Sequence, residues 1–118
     1  MRRWAIVTSC GRKLASALIA HAGLPAPDVV VSADDVPRTK PAPDCYLEAA
    51  RRLETEPGGC LVVEDSHGGV RAAVLAGMDV VAITRGRPVE SGGGARDVGA
   101  LREICLRFED ESGVIVLE

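Results

Sequence analysis

The chain has 118 residues, 47% of them hydrophobic and 26% charged, which suits one globular domain with a modest core. A net charge of −3 and only 3% aromatic residues offer neither the basic surface nor the stacking platforms that nucleic-acid-binding proteins use. Because no run of 18 apolar residues occurs, we expect no transmembrane helix and no membrane partner.

The N-terminal half alternates strand and helix patterns. Residues 4–8 are apolar and partly β-branched and predict a buried strand, and residues 29–31 predict a second, short one. Between them Ser9 is a candidate N-cap for a helix over about residues 11–22. The apolar face of that helix is predicted to carry Leu14, Leu18, Ile19 and Ala22.

A second helix is predicted from Pro43 to about Leu53, before the Gly58-Gly59 pair. Its inward face would hold Tyr46, Ala49, Ala50 and Leu53.

The segment that follows contains the most informative pattern. An apolar strand, residues 60–64, ends in two adjacent acids, Glu64 and Asp65. Ser66 can then cap a helix of small residues that Gly77 closes, and Gly68-Gly69 allows a close approach to its backbone. Residues 79–84 predict a further strand.

Beyond residue 84 the pattern weakens. Residues 85–96 contain a proline and three consecutive glycines and predict a flexible loop. A helix over residues 97–108 and an edge strand over residues 114–117 are the remaining candidates. The alternation of strands and helices predicts an α/β fold, a Rossmann-like and mostly parallel sheet with helices on both faces.

The four cysteines are widely spaced and form no C-x-x-C pair. We therefore predict reduced thiols rather than disulfides or a zinc site, and a cytoplasmic protein.

Three places in the sequence carry candidate functional residues. Thr8 and Ser9 end the first strand, where a hydroxyl and backbone N–H groups can hold a phosphate oxygen, although such hydroxyls are usually plain caps. Lys40 lies between prolines, in a stiff loop that can present a fixed positive charge to an anion, or else is a solvated loop lysine. Glu64 and Asp65 at a strand end invite Mg²⁺, or else only cap a helix.

Together these segments resemble the haloacid dehalogenase-like phosphohydrolases, in particular the branch of sugar-phosphate phosphatases, phosphoglycolate phosphatase and β-phosphoglucomutase. The resemblance covers residues 4–84 in order. It is carried by AIVTS at 5–9, AGL at 22–24, SADDV at 32–36, KPAPDCYLEAARRL at 40–53 and VVEDSHGGVRAAVLAGM at 62–78.

The resemblance implies roles for the same residues. Thr8, with the N–H of Ser9, matches the hydroxyl motif that binds the transferring phosphoryl group. Lys40 matches the lysine that neutralises nucleophile and phosphate, and Glu64 and Asp65 match the acids that hold Mg²⁺. The reaction implied is hydrolysis of a small phosphate monoester through an aspartyl-phosphate.

The chain departs from the family because no D-x-D sequence occurs in it. In the family that motif supplies the nucleophile and the general acid/base, and a substrate-selecting cap domain follows it. We therefore expect residues 1–118 to form one partial core domain without a cap, inactive alone and binding Mg²⁺ weakly. Two classes stay open, the C-terminal part of a Mg²⁺-dependent phosphatase and a non-catalytic module that binds phosphate, a metal or another protein.

The missing motif also bears on folding. In the family its strand lies at the centre of the sheet, between the strands that match residues 4–8 and 60–64. Without it we expect those two strands to be prone to aggregation or to pair directly with each other.

Overall fold

The computed structural model describes residues 3–83, 95–98 and 113–117. Its strands and helices alternate in the order β1 Trp4–Val7, α1 Arg12–Ala22, β2 Val29–Val31, α2 Asp44–Arg52, β3 Cys60–Glu64, α3 His67–Leu75, β4 Asp79–Ile83, β5 Ala95–Val98 and β6 Gly113–Leu117. Two short 3₁₀ turns, Ala33–Asp35 and Pro57–Gly59, precede α2 and β3.

The six strands form one sheet in the order β2-β1-β6-β3-β4-β5, and neighbouring strands are parallel throughout. This confirms the prediction of an α/β fold with a mostly parallel sheet. Helix α2 packs against β1, β2 and α3, and α3 packs against β3 and β4. Since parallel strands end at the same edge, the residues after β1 and β3 lie at one side of the molecule, where α/β proteins bind ligands.

Strand β6 lies at the centre of the sheet, which contradicts the prediction of an edge strand. Its residues pair with β1 on one side, as in Val7 with Leu117, and with β3 on the other, as in Val63 with Val116. Direct pairing of β1 and β3, one of the two expected outcomes, is therefore also wrong, and the other, a tendency to aggregate, stays a prediction. A continuous apolar run, Val114 to Leu117, is typical of a central parallel strand that is covered on both faces.

Two further predictions, a loop over residues 85–96 and a helix over residues 97–108, are wrong at strand β5. Its residues, Ala95–Val98, pair with β4, whereas 95 and 96 were assigned to a flexible loop and 97 and 98 to a helix. The conformation of residues 95–98 follows from their pairing with β4 and not from their local sequence pattern. The rest of the predicted loop and helix, residues 85–94 and 99–108, lies outside the described residues.

Helix α1 has nearly the predicted bounds, but its cap and its inward face differ from the prediction. It begins at Arg12, and the backbone N–H of Arg12 donates to Asp34 at 2.7 Å, so the cap comes from a distant loop rather than from Ser9. Its buried residue is Ala15, while Leu14 and Leu18 are 55% and 40% exposed. A helical period alone does not tell which side of a helix meets the sheet.

The remaining helices match their predictions closely. Helix α2 buries Tyr46, Ala49 and Ala50, and Leu53 after it is buried as well. It ends at Arg52, ahead of the glycine pair, with Glu54 in the left-handed region at φ 56°. Ser66 caps α3 by accepting the N–H of Gly69 at 3.1 Å.

In the described part of the chain, no helix has the length and apolar character needed to cross a bilayer. Cys10, Cys45 and Cys60 are free thiols, as predicted, and Cys105 lies outside the described residues. Burial raises the pKa of the Cys45 and Cys60 thiols, so both are inert core groups rather than reactive ones.

Candidate functional site

Thr8 and Ser9 follow β1 at the carboxyl edge of the sheet. Thr8 is buried, and its backbone N–H donates to the carbonyl of Val31 at 2.9 Å. Its hydroxyl oxygen accepts the N–H of Cys10 at 3.1 Å, while Ser9 is exposed. The hydroxyl of Thr8 thus shapes the turn after β1, and as far as the described residues go, its own O–H remains able to donate to another acceptor.

Lys40 reaches the same edge from the loop before α2. Its ammonium donates to the carbonyl of Val7 at 3.2 Å and to Oε2 of Glu64 at 3.1 Å. Its side chain is only 8% exposed. Val7 is the last residue of β1 and Glu64 the last of β3, so Lys40 connects the ends of the two strands that flank β6. It is not a solvated loop lysine.

Glu64 is buried, at 1% exposure, and its carboxylate accepts hydrogen bonds from four donors. Oε2 receives the Lys40 ammonium and the Tyr46 hydroxyl, the latter at 3.0 Å. Oε1 receives the backbone N–H groups of Asp65 at 2.9 Å and Ser66 at 3.3 Å. Because a carboxylate offers about four lone-pair positions, these donors use its acceptor capacity fully.

Tyr46 completes this buried cluster from α2. Burial, together with the negative charge of Glu64, raises the pKa of Tyr46 well above its usual range, so the hydroxyl stays protonated and donates. The Lys40 ammonium lies 5.3 Å from the centre of the Tyr46 ring, within the range of a cation–π contact. Tyr46 therefore contacts both members of the Lys40–Glu64 ion pair.

Gly69 makes room for the Glu64 carboxylate. A Cβ atom at position 69 would overlap Oε2, Cδ and Cγ of Glu64, whereas a Cβ atom at Gly68 would meet nothing within 4 Å. The sequence predicted that the glycine pair admits a close approach. The structure shows that the approaching group at Gly69 is a side chain of the same protein.

Asp65 and His67 lie beside this cluster and are exposed. Asp65 directly follows β3, and His67 is the first residue of α3. Asp65 is therefore the acid of the predicted pair that faces solvent, and Glu64 is the acid that faces the interior.

The described residues fit Mg²⁺ in part. Asp65 offers an exposed carboxylate at the strand end, and Glu64 can contribute only if one of its four donors moves away. Among residues 3–83, 95–98 and 113–117, no group of three acidic, histidine or cysteine side chains is placed to hold a metal. Mg²⁺ bound to one or two carboxylates keeps several waters and shares phosphate oxygens of a substrate, so a partial set is compatible with it.

Asp34 and Asp35, which belong to the SADDV segment of the resemblance, have structural roles. Asp34 caps α1, and Asp35 accepts from Arg12 at 2.6 Å and from the backbone N–H of Ser32 at 2.7 Å. The hydrogen bond from Arg12, with those from Ser32, holds the pKa of Asp35 well below its usual range. These contacts tie the loop after β2 to the start of α1.

Sequence reasoning brought Thr8, Lys40 and Glu64 to one edge but missed Tyr46 and assigned no partner to Gly69. The available signal was the position of Tyr46 on the inward face of α2. A buried tyrosine hydroxyl normally requires an acceptor, and an acid at a neighbouring strand end is a candidate.

Known proteins resemble this chain over most of its described residues. The profile of the family described as haloacid dehalogenase-like hydrolase matches residues 2–83. Hexitol phosphatase A of Escherichia coli is 49% identical over 80 residues, and fructose-1-phosphate phosphatase YqaB of the same organism is 46% identical over 81 residues. Each match covers 68% of this chain, but only 37% and 43% of those proteins. The chain thus spans less than half the length of these relatives.

A solved structure agrees with the fold over most of the chain. The crystal structure of CbbY from Rhodobacter sphaeroides in complex with phosphate superimposes with a TM-score of 0.73 at 32% identity. The match covers 83% of this chain and 46% of the CbbY chain.

Proposed function

Because the chain belongs to the haloacid dehalogenase-like hydrolase family, we propose that it forms the phosphate-binding part of a Mg²⁺-dependent phosphatase that acts on small phosphate monoesters such as sugar phosphates. Two relatives, named hexitol phosphatase A and fructose-1-phosphate phosphatase, support this substrate class. Thr8, the N–H of Ser9 and Lys40 bind the phosphoryl group. Asp65 holds the metal. Glu64 becomes a second ligand only if one of its four hydrogen-bond donors moves away.

The observation that carries this proposal is the anchoring of Lys40. Of the three N–H groups of its ammonium, two have acceptors in the described part of the chain, the Val7 carbonyl and Glu64. The third can donate to an oxyanion at the end of β1, next to Thr8. A lysine held in this way is a preorganised positive charge, and such charges stabilise phosphoryl transfer.

The balance of charges explains why a metal is needed. Of the five residues assigned to the site, one is a base, Lys40, and two are acids, Glu64 and Asp65, so an approaching phosphate meets an excess of negative charge there. Bound Mg²⁺ would offset the repulsion and neutralise charge on the transferring group. Alone, the chain should bind Mg²⁺ weakly, with a dissociation constant on the order of millimolar, because it provides few carboxylate ligands.

This sequence contains no D-x-D motif, so no aspartate of such a motif is available to attack phosphorus. We therefore propose that the chain alone binds phosphate without hydrolysing phosphate esters. The resemblance implies that an aspartate at the end of the central strand attacks phosphorus. In this chain the centre is occupied by β6, whose last residue, Leu117, pairs with Val7.

Titration with inorganic phosphate in the presence of Mg²⁺, followed by amide NMR spectra, tests this proposal. The amide signals of Thr8, Ser9 and Lys40 should shift together and saturate. Lys40→Ala should abolish the response. Lys13→Ala, the same change at the exposed lysine of α1, should leave it intact.

Shifts spread over the surface, or an equal response in Lys40→Ala and wild type, would contradict a phosphate site at Lys40. Turnover of p-nitrophenyl phosphate by the chain alone, abolished by Asp65→Asn, would contradict the absence of a nucleophile. A localised response without activity, even after a segment with D-x-D and a cap domain is fused ahead of the chain, would favour the non-catalytic class.

A further inference from the structure

We propose that Tyr46 is a positioning residue: its hydroxyl fixes the buried Glu64 carboxylate, and thereby holds the Lys40 ammonium at the ends of β1 and β3. The inference rests on the proposed function in one respect, that Lys40 is the cation that meets phosphate. It also assigns Glu64 primarily to Lys40, which leaves Asp65 as the main protein ligand for a metal.

Geometry supports a joint role for the three side chains. The Tyr46 hydroxyl and the Lys40 ammonium donate to the same oxygen, Oε2 of Glu64, at 3.0 and 3.1 Å. A carboxylate shared by two donors from different elements, α2 and the loop before it, has little freedom to rotate. The two backbone N–H groups on Oε1 fix the other end of the carboxylate.

Burial makes this arrangement necessary. The side chains of Glu64 and Lys40 are 1% and 8% exposed, so neither charge is compensated by much water. A buried ion pair is stable only when further hydrogen bonds satisfy its remaining groups, and Tyr46 supplies one of these. Without the hydroxyl, Oε2 loses a donor and the carboxylate gains freedom to turn away from Lys40.

Lysine ammonium signals in ¹H–¹⁵N spectra test the inference directly, because the chain has only two lysines, Lys13 and Lys40. Lys40 should give a signal whose protons exchange slowly with water, and Lys13→Ala confirms the assignment. In Tyr46→Phe, which removes only the hydroxyl, exchange at Lys40 should become about tenfold faster, since a hydrogen bond to a charged group is lost.

Val80→Ala provides the matched control. Val80 is buried in β4, so its truncation lowers stability without removing a contact of Lys40, and exchange at Lys40 should stay at the wild-type rate. In a Glu64→Gln background, adding Tyr46→Phe should change the exchange rate by less than about twofold, because Tyr46 acts through Glu64. An unchanged rate in Tyr46→Phe, or an equal increase in Val80→Ala, would overturn the inference.

The wild-type chain offers a second measurement should Tyr46→Phe not fold. Tyr46 is the single tyrosine of the chain, so its hydroxyl proton can be assigned without ambiguity. That proton should exchange slowly with water, and exchange at the rate of an exposed tyrosine would overturn the inference. Failure of phosphate to bind would count against the proposed function alone, since these exchange rates are measured without phosphate.

Discussion

Gly69 lies so close to Glu64 that a Cβ atom at position 69 would overlap the Glu64 carboxylate. The consequence extends beyond α3, because the same carboxylate holds Lys40 and Tyr46. The cluster of Glu64, Lys40 and Tyr46 can therefore form only if residue 69 has no side chain.

Gly69→Ala should lower the free energy of unfolding by about 3 kcal/mol or more, since the carboxylate must move and leave buried donors unsatisfied. Urea denaturation followed by the fluorescence of Trp4, the single tryptophan, measures the change. Gly68→Ala is the control and should be neutral or stabilising by up to about 1 kcal/mol, because alanine favours the helix and no atom obstructs it. Equal stability of the two variants would show that Glu64 does not occupy this position.

Asp35→Asn should reduce stability in a pH-dependent way. The pKa of Asp35 is lowered in the folded protein, chiefly by the hydrogen bond from Arg12, so its charged form favours folding. This contribution is fully present above the pKa of the unfolded chain, about 3.9, and is lost as the pH falls toward the lower folded value.

We expect Asp35→Asn to cost about 2 kcal/mol at pH 7, and the difference from wild type to shrink below about pH 4. Denaturation curves at several pH values measure it. Asp79→Asn, at an exposed position of β4, should change stability by less than about 0.5 kcal/mol at pH 7. A cost for Asp35→Asn that stays constant down to pH 3 would contradict the assigned ion pair.

Ile115→Pro tests the central position of β6. Residue 115 pairs with Ala5 of β1 and with Val62 of β3. Proline removes a backbone donor from the ladder and should cost about 3 kcal/mol or more at a central strand. Ile115→Val retains the N–H and should cost about 1 kcal/mol or less. Wild-type stability in Ile115→Pro would exclude β6 from the centre of the sheet.

Local pattern was sufficient to predict most of the fold. Alternating strands and helices gave the parallel sheet, and the inward face of α2 and the cap at Ser66 followed from spacing and residue type. Parallel strand ends then placed Thr8 and Glu64 at one edge, and the resemblance to the haloacid dehalogenase-like family added Lys40.

The errors came from contacts between distant parts of the chain. The cap of α1 comes from Asp34, and β6 pairs with strands far from it in sequence. The cap at Asp34 has no local signal, and the apolar run of β6 indicates a buried strand without identifying its partners. The division of the Glu64-Asp65 pair into a buried and an exposed acid likewise depends on Tyr46 and Gly69, which only the folded structure places beside Glu64.

We propose that Lys40 serves phosphoryl transfer once a nucleophile is present. A chimera in which residues 2–83 of this chain replace the matching segment of Escherichia coli hexitol phosphatase A keeps the rest of that phosphatase and leaves out β6. With Mg²⁺, kcat on a panel of sugar phosphates is the quantity to measure. We predict an active chimera in which Lys40→Ala lowers kcat by about 10²-fold or more, through loss of transition-state charge stabilisation, while Lys13→Ala has little effect. A folded but inactive chimera, or equal kcat values for the two lysine variants, would contradict the account.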